Sequence, residues 1–359
     1  MPIYSELEVL THPASETVSP PIARVVPRVD VVHGEAKVDH YHWLRDRNDP
    51  EVLEYLEAEN RHTDAVMRHT ENLQEQLYQE MRRRIQETDL SVAERVDHYW
   101  YYSRTEAGVQ YPIFCRRQDQ PDAVEEILLD QNSLVEGQSY FRIGGLEVSP
   151  DHRLLAYLVD TSGKEEFSLF IKDLRTGELY PERITGISPR VAWANDSQTI
   201  FYTVLDPAHR PYTLFRHRVG SSPSDDILAY QEPDASFSVD ISRTRSRRYL
   251  LLDLSSHSTS EVRFISADTP EGPFEVIEPR RLGIEYTVSH HEDRFFITTN
   301  DAAPNFRLLQ APVEQPSREH WSPVLPYRPD IKLDGTDAFR HHLVVYERNA
   351  GLGQIRVLD

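Results

Sequence analysis

Short apolar runs alternate with polar turns along most of this chain. From about residue 92 onward, runs rich in Leu, Val, Ile, Phe and Tyr are separated by turns rich in Asp, Asn, Ser and Arg. Val96–Ser103 is aromatic and β-prone, which predicts a strand, and Leu154–Val159 predicts a buried strand. The turns begin at Ser149, Asn195, Arg245, His291 and Asp337, which gives a repeat of about 47 residues. A repeat of this length, built from short strands, is typical of β-propeller blades.

The repeats predict a mainly β fold, with an incomplete propeller over residues 89–359. They amount to five blades and a partial sixth, about five and a half in all. The last repeat begins near Ile331, and Asp359 falls inside it. We therefore expect the sixth blade to lack its outermost strand and the chain to be one part of a longer protein.

The N-terminal residues follow a different pattern. Residues 1–24 are polar, which predicts a mobile tail. Asp49 followed by Pro50 is typical of a helix start, and a second helical run is expected from Thr70. Apolar residues recur at every fourth position of that second run, at Leu73, Leu77, Met81 and Ile85. Residues 25–88 therefore form a predicted helical segment whose apolar faces have no helical partner in the rest of the chain.

The composition is typical of a soluble globular protein, with 39% hydrophobic and 27% charged residues. No apolar run is long enough for a membrane span, and residues 1–20 lack the basic and apolar regions of a secretory signal. Together with a single cysteine, this predicts a cytoplasmic protein without internal disulfides. The net charge of −20 argues against a nucleic-acid partner. It permits attraction of cationic ligands, although solubility alone explains it adequately.

Several stretches resemble the prolyl oligopeptidase family of serine peptidases. In the N-terminal part the similar stretches are Val32–Glu35, Val38–Asp46 and Pro50–Asn60. In the repeats they are Trp193–Ser197, Thr259–Arg263, Pro279–Gly283, Ala303–Arg307 and Leu343–Arg348. The Trp-Leu-Arg-Asp form at Trp43–Asp46 and the Ala-Glu-Asn form at Ala58–Asn60 are closer to the oligopeptidase B branch. The matches occur in order from about residue 24 to the last residue, so the resemblance is specific.

The resemblance implies two domains and a catalytic activity. One domain is a seven-bladed propeller. The other is an α/β-hydrolase domain whose N-terminal piece, residues 25–88 here, precedes the propeller and whose bulk follows it. The implied enzyme is a serine endopeptidase that cleaves short peptides after Arg or Lys, with the propeller selecting substrates by size. Its implied partners are the C-terminal catalytic domain and short basic peptides.

The catalytic motif of that family is missing from this sequence. The family's nucleophile lies on a Gly-x-Ser-x-Gly turn, with an Asp and a His further along the chain. The nearest string, Gly137–Phe141, reads Gly-Gln-Ser-Tyr-Phe and lacks the second glycine. No residue is therefore assigned a catalytic role, and none is assigned to a cofactor or a metal. We expect the chain alone not to hydrolyse peptides. We also do not expect the isolated chain to be a soluble monomer that melts in a sharp, cooperative transition.

Several reactive or metal-binding residue types have simpler explanations. Cys115 lies in a predicted strand and is expected to be a small buried hydrophobe, since a catalytic thiol needs a positioned histidine. His290–Glu292 and His341–His342 lack the spacing of a zinc site and are expected in solvated blade turns. Gly351–Gly353 is half of a dinucleotide-binding fingerprint. Strands are predicted on both sides of it, which favours a hairpin turn.

Two groups near the first helix are also expected to be structural. Acidic residues cluster there, at Asp46, Asp49, Glu51 and Glu54. Helix capping explains these acids better than catalysis. Tyr41 and Trp43 are expected to anchor a core or a domain interface rather than to bind a ligand.

A function of another class remains open, namely a non-catalytic propeller that binds a protein or a peptide. A Gly-x-Ser-x-Gly segment encoded in frame after Asp359 would favour the peptidase. A natural stop codon at that point would favour the binding module.

Overall fold

The computed structural model describes residues 19–358 and contains two compact units, divided between Glu87 and Thr88. The predicted mobile tail, residues 1–24, lies mostly outside the described residues. No helix within residues 19–358 has both the length and the apolar character needed to cross a membrane.

The N-terminal unit contains a β-hairpin followed by two helices. Its elements are β1 (Arg28–Val32), β2 (Glu35–Asp39), α1 (Pro50–Met67) and α2 (Glu71–Arg83). The hairpin turns at His33 and Gly34, whose φ values are 53° and 84°. Positive φ at both central residues is what a tight two-residue connection between antiparallel strands requires. A short 3-10 turn at Arg68–Thr70 separates the helices.

The predicted start of the first helix is confirmed. The Asp49 carboxylate accepts a hydrogen bond of 2.9 Å from the backbone N–H of Glu51, and Pro50 occupies the first helical turn. α2 begins at Glu71, one residue after the predicted Thr70. The residues of its apolar stripe are 46% to 66% exposed, namely Leu73, Leu77, Met81 and Ile85. No described part of the chain covers this stripe.

The C-terminal unit is a propeller of antiparallel sheets. Blade 1 contains β3 (Asp89–Leu90), β4 (Glu94–Val96), β5 (Tyr99–Thr105), β6 (Ile113–Gln118) and β7 (Glu126–Asp130), followed by a helical turn, α3 (Gln131–Leu134). Blade 2 contains β8 (Arg142–Val148), β9 (Leu154–Asp160), β10 (Phe167–Asp173) and the first half of β11 (Ile184–Trp193). Blade 3 contains the second half of β11, β12 (Thr199–Leu205), β13 (Pro211–Arg218) and β14 (Ile227–Gln231).

The remaining blades follow the same plan. Blade 4 contains β15 (Ser238–Arg243), β16 (Tyr249–Ser255), β17 (Ser260–Ser266) and β18 (Glu275–Glu278). Blade 5 contains β19 (Tyr286–His291), β20 (Arg294–Thr299), β21 (Arg307–Pro312) and β22 (Ser322–Pro323). Blade 6 contains β23 (Ile331–Ala338), β24 (Leu343–Asn349) and β25 (Leu352–Leu358). Five blades and a sixth with three described strands agree with the predicted five and a half.

One strand, β11, serves two blades. Its first half, up to Ile187, pairs with β10, and its second half, from Val191, pairs with β12. The register breaks between these two residues. Pro189 lies in the break, where the N–H that it lacks is not needed for the ladder. Blades 2 and 3 therefore form one continuous sheet of seven strands.

The first blade departs from the prediction. The sequence predicted one strand from Val96 to Ser103, but Asp97 and His98 form a turn between β4 and β5. Asp97 has a φ of 55°, and this left-handed conformation reverses the chain. Aromatic, β-prone residues on both sides concealed the turn in the sequence. β3 and β4 both pair with β5, so together they form the first strand of the blade.

Apolar side chains fill the spaces between consecutive blades. The buried set between blades 2 and 3 includes Phe167, Leu169, Ile187, Trp193 and Ile200. The set between blades 4 and 5 includes Leu251, Phe264, Phe295, Ile297 and Leu309. The predicted buried strand at Leu154–Val159 is confirmed, since every residue of β9 is buried. Burial of these faces against each other holds the blades together.

The polar turns recur between the first and second strands of successive blades. A non-glycine residue at positive φ, from 55° to 61°, marks this turn in blades 2 to 5, at His152, Ser197, Arg247 and Glu292. Asp97 holds the same place in blade 1. Because the strands of each blade have the same order, these turns lie at one end of the propeller axis.

Candidate functional site: charged groups at the propeller axis

The first strands of neighbouring blades lie side by side. β8 contacts β11, β11 contacts β15, and β19 contacts β23. In a propeller such strands surround a central channel. Side chains on these strands, and on the turns at their ends, are therefore the groups that a ligand in the channel would contact.

An ion pair crosses the ring at the end of the axis where the polar turns lie. Arg247 of blade 4 donates a hydrogen bond of 2.6 Å from Nη1 to Oδ2 of Asp97 in blade 1, 150 residues away in sequence. The Arg247 guanidinium holds the pKa of Asp97 below its ordinary value, although burial of Asp97 acts in the opposite direction. The Asp97 side chain is 43% exposed, so solvent weakens the attraction.

A second arginine of the same blade 4 turn extends this bridge. Nη1 of Arg245 lies 3.8 Å from Oε1 of Glu94 in blade 1. Its guanidinium also lies over the ring of Phe339, in the corresponding turn of blade 6, at 4.1 Å from the centroid. One turn of blade 4 therefore contacts two other blades and narrows this mouth of the channel.

His152 of blade 2 completes the cluster. Its Nε2 lies 3.0 Å from Oδ2 of Asp97, and its Nδ1 lies 2.6 Å from the hydroxyl of Tyr101. Burial lowers the pKa of His152, although the neighbouring Asp97 acts in the opposite direction. In the neutral ring, Nε2–H donates to Asp97 and Nδ1 accepts from Tyr101. His152 thus connects blades 1 and 2 as a neutral hydrogen-bonding group.

Two carboxylates face each other on the first two strands of blade 4. Asp240 of β15 is directly opposite Asp253 of β16. Nε of Arg190 lies 3.1 Å from Oδ2 of Asp240. Burial, with a further contribution from the charge of Asp240, raises the pKa of Asp253 to about 6. Burial also raises the pKa of Asp240. The pair therefore favours a protonated carboxyl up to mildly acidic pH, as like charges at close range do.

We expect an Asp253→Asn variant to be more stable than the parent at pH 8, by ~3 kcal/mol, and unchanged below pH 4. The folded state raises the pKa of Asp253 from 3.8 to about 6. Ionisation therefore costs folding free energy as the pH rises through this interval, and asparagine avoids that cost. Equilibrium denaturation at both pH values measures the difference. The control is Asp293→Asn, which replaces a side chain that is 82% exposed. If Asp253→Asn changed the folding stability by the same amount at pH 4 and at pH 8, the prediction would be contradicted.

Cys115 is buried, as predicted. It is 1% exposed, and its Sγ–H donates to the carbonyl oxygen of Ile113 at 3.8 Å. Burial, with a smaller effect of the Glu125 charge, raises the pKa of the thiol to about 11. Little thiolate forms at neutral pH, and the thiolate is the reactive species.

The native chain is therefore expected to resist Ellman's reagent at pH 8 for hours and to react fully once denatured. The chain has one cysteine, so the absorbance reports this thiol alone. Release of one equivalent within seconds from the native protein would show that Cys115 is accessible and ionised.

The prediction for the histidine pairs is wrong at one position. His290 is 1% exposed. Its ring packs on Tyr249 and Phe295, and its Nδ1 lies 2.7 Å from Oγ of Ser246. Burial lowers its pKa to about 4. Alternate residues of a strand face the same side, so His290 lies on the same face of β19 as the buried Tyr286 and is buried with it. The exposed turn residues Glu292, His341 and His342 lie in solvent, as predicted.

The glycine pair also behaves as predicted. Ala350 and Gly351 form the turn between β24 and β25, with φ values of 49° and 82°. Such a turn is typical of a two-residue hairpin. The Gly351–Gly353 stretch is therefore part of a β-hairpin and precedes no helix.

The groups near α1 are mostly structural. Asp49 caps the helix, and Asp46 accepts a hydrogen bond of 3.1 Å from the backbone N–H of Asn48. The Trp43 indole donates to the carbonyl oxygen of Arg24 at 2.9 Å, so it anchors the segment before β1. Tyr41 is 48% exposed and lies outside any described core.

The sequence did not reveal the Arg247–Asp97 contact. The two residues are 150 positions apart, and neither belongs to a catalytic or binding motif. One signal was available, because Arg243–Arg248 is a basic stretch in a chain with a net charge of −20. A basic turn in an acidic propeller indicates that acidic partners lie nearby.

Comparison with known proteins gives a consistent result. Residues 20–359 match the family model described as prolyl oligopeptidase, N-terminal beta-propeller domain. The chain is 38% identical to dipeptidyl aminopeptidase BI of Pseudoxanthomonas mexicana, over 96% of this chain and 50% of the relative. It is 37% identical to protease 2 of Moraxella lacunata, over 94% of this chain and 50% of the relative.

Among solved structures, the fold is similar to that of oligopeptidase B from Leishmania major. The TM-score is 0.86 at 28% identity, over 94% of this chain and 50% of that one. The chain spans about half the length of the curated relatives that it matches.

Proposed function

Because this chain belongs to the prolyl oligopeptidase family of serine peptidases and contains its N-terminal β-propeller, we propose that it is the substrate-admitting half of an oligopeptidase B-like enzyme. The enzyme cleaves short peptides after Arg or Lys. A C-terminal α/β-hydrolase domain supplies the catalytic Ser, Asp and His, and this chain alone is inactive. The observation that carries the proposal is the similarity to oligopeptidase B over 94% of this chain.

Residues 25–88 belong to the catalytic domain in this proposal. The support comes from apolar side chains that no described residue covers. The α2 stripe is about half exposed, and so are Leu53 and Leu56 on α1, at 49% each. Contiguous exposed apolar surface of this kind is typical of an interface. The C-terminal domain would cover both helices.

The propeller restricts substrates by size. Arg245 and Arg247 reach from blade 4 to blades 1 and 6 at one mouth of the channel. A folded protein is too wide to pass a mouth bridged by side chains, whereas the catalytic domain would close the other end. Only short, flexible peptides then reach the active site.

Charge supports the preference for basic peptides. The net charge of −20 produces a negative potential that raises the encounter rate with cationic substrates, and salt screens this effect. The single cysteine supports a cytoplasmic location for the enzyme.

An assay of the full-length gene product tests the proposal. Amide substrates with Arg or Lys at the cleavage site should be hydrolysed, a neutral analogue should not, and a serine-directed inhibitor should stop the reaction. Cleavage of the Arg substrate should slow as salt increases. An Arg-containing decapeptide should be cut while the same sequence in a loop of a folded protein is spared. Equal rates for the neutral analogue, or for the folded protein, would contradict the assignment.

A further inference from the structure

A cavity of about 610 Å³ lies on the outer side of blade 5, beside the last strand of blade 4. Leu309, Trp321 and Pro323 provide an apolar wall. The Trp321 indole N–H donates to the carbonyl oxygen of Pro316 at 2.8 Å, so its polar edge is already satisfied. The rest of the lining is charged, apart from Ser317. The cavity therefore offers an apolar side and a polar side to one ligand.

Most charges at this cavity are paired. Oδ2 of Asp301 accepts a hydrogen bond of 2.7 Å from Nε of Arg318 and lies 3.1 Å from Nη2 of Arg281. Oε2 of Glu278 accepts a hydrogen bond of 2.9 Å from the backbone N–H of Arg318. These contacts neutralise Asp301 and hold the segment around Arg318 in place.

Arg307 is the exception. Its guanidinium has no ion pair or hydrogen bond to any residue between 19 and 358, and its Nε is buried without a partner. Arg307 is half-buried, and it lines the cavity. A buried donor without an acceptor costs free energy, and native proteins rarely leave one. The cavity therefore presents one uncompensated cation to an incoming ligand.

We propose that this cavity binds the C-terminal residue of a peptide, with Arg307 holding the carboxylate. A guanidinium matches a carboxylate through two parallel hydrogen bonds. Glu278 and Glu319 also line the cavity, and their negative charge disfavours a phosphate dianion more than a single carboxylate. A C-terminal residue carries its carboxylate and its side chain on one carbon. It can therefore reach Arg307 and the apolar wall beside Trp321 together. The site lies on the propeller and requires no catalysis, so it goes beyond the proposed function.

The test uses the full-length protein, treated with a serine-directed inhibitor, and the probe acetyl-Ala-Ala-Leu. The peptide contains no Arg or Lys, and calorimetry measures its affinity. The C-terminal amide of the same peptide, and the Arg307→Gln variant with the free acid, should each bind at least about tenfold more weakly. The Arg294→Gln variant is the matched control, because Arg294 is an exposed arginine of the same blade, and it should bind normally.

A second readout uses the parent protein, so it does not depend on whether Arg307→Gln folds. With 5-fluorotryptophan incorporated, one ¹⁹F resonance, that of Trp321, should shift with the free acid and not with the amide. Equal binding of acid and amide would overturn the proposal. Acetate, or acetyl-Ala-Glu-Ala-amide, binding as tightly as the free-acid peptide would overturn the assignment to a peptide terminus.

Discussion

A His217→Leu variant is expected to lose about 3–5 kcal/mol of folding stability. His217 is fully buried between blades 2 and 3, and its Nδ1 lies 2.6 Å from Oδ1 of Asp226. Its Nε2 lies 3.7 Å from Oε1 of Glu182. Both carboxylates are nearly inaccessible, with side-chain exposures of 3% and 4%. Leucine fills the space but leaves the two acids without the imidazole, and an unpaired buried charge is costly.

The remaining contacts of these acids cannot replace His217. The Tyr202 hydroxyl donates to Oδ2 of Asp226 at 2.7 Å, and the backbone N–H of Gly220 donates to Oε1 of Glu182 at 2.7 Å. Each contact satisfies one oxygen with a neutral donor. Chemical denaturation of the full-length protein measures the loss, with His257→Leu as the control at an exposed histidine of blade 4. A loss below about 1 kcal/mol would show that the buried acids are compensated in another way.

The paired substitution Leu77→Asp and Met81→Asp is expected to have opposite effects in two contexts. In the full-length protein it should lower the folding stability by about 3 kcal/mol or more, because two carboxylates would replace apolar side chains at the proposed interface with the catalytic domain. In the isolated chain both positions are about half exposed, at 46% and 59%. In the isolated chain the same substitutions remove exposed apolar surface and should therefore reduce self-association.

Denaturation of the full-length protein and light scattering of the isolated chain measure the two effects. Asn72→Asp is the control, because Asn72 lies on the opposite face of α2 and is exposed. It should change each quantity only slightly. A destabilisation of the isolated chain as large as that of the full-length protein would show that the stripe packs within this chain.

The fold was largely predictable because its information is local and repeated. Continuous apolar runs bounded by polar turns defined strands such as Leu154–Asp160, and the turn chemistry marked their connections. Asp49 and Pro50 located the start of α1 because capping depends on neighbouring residues alone. The wrong strand at Val96–Ser103 has the same origin: the residues around Asp97 are β-prone, and tertiary contacts place the turn.

The candidate site was much less predictable. Asp97, His152 and Arg247 belong to three blades, and only the arrangement of the blades around the axis brings them together. His290 shows the same limit, because its burial depends on packing against Tyr249 and Phe295 rather than on its own turn. Long-range contacts of this kind leave no spacing signature in a single sequence.

A hydrolysis assay of purified 1–359 beside the full-length gene product, with an Arg amide substrate, shows most directly whether the catalytic residues lie outside this chain. We predict turnover by the full-length protein, sensitive to a serine-directed inhibitor, and none above background by 1–359. Turnover by 1–359 that the same inhibitor blocks would contradict this prediction, because a nucleophilic serine would then lie within this chain.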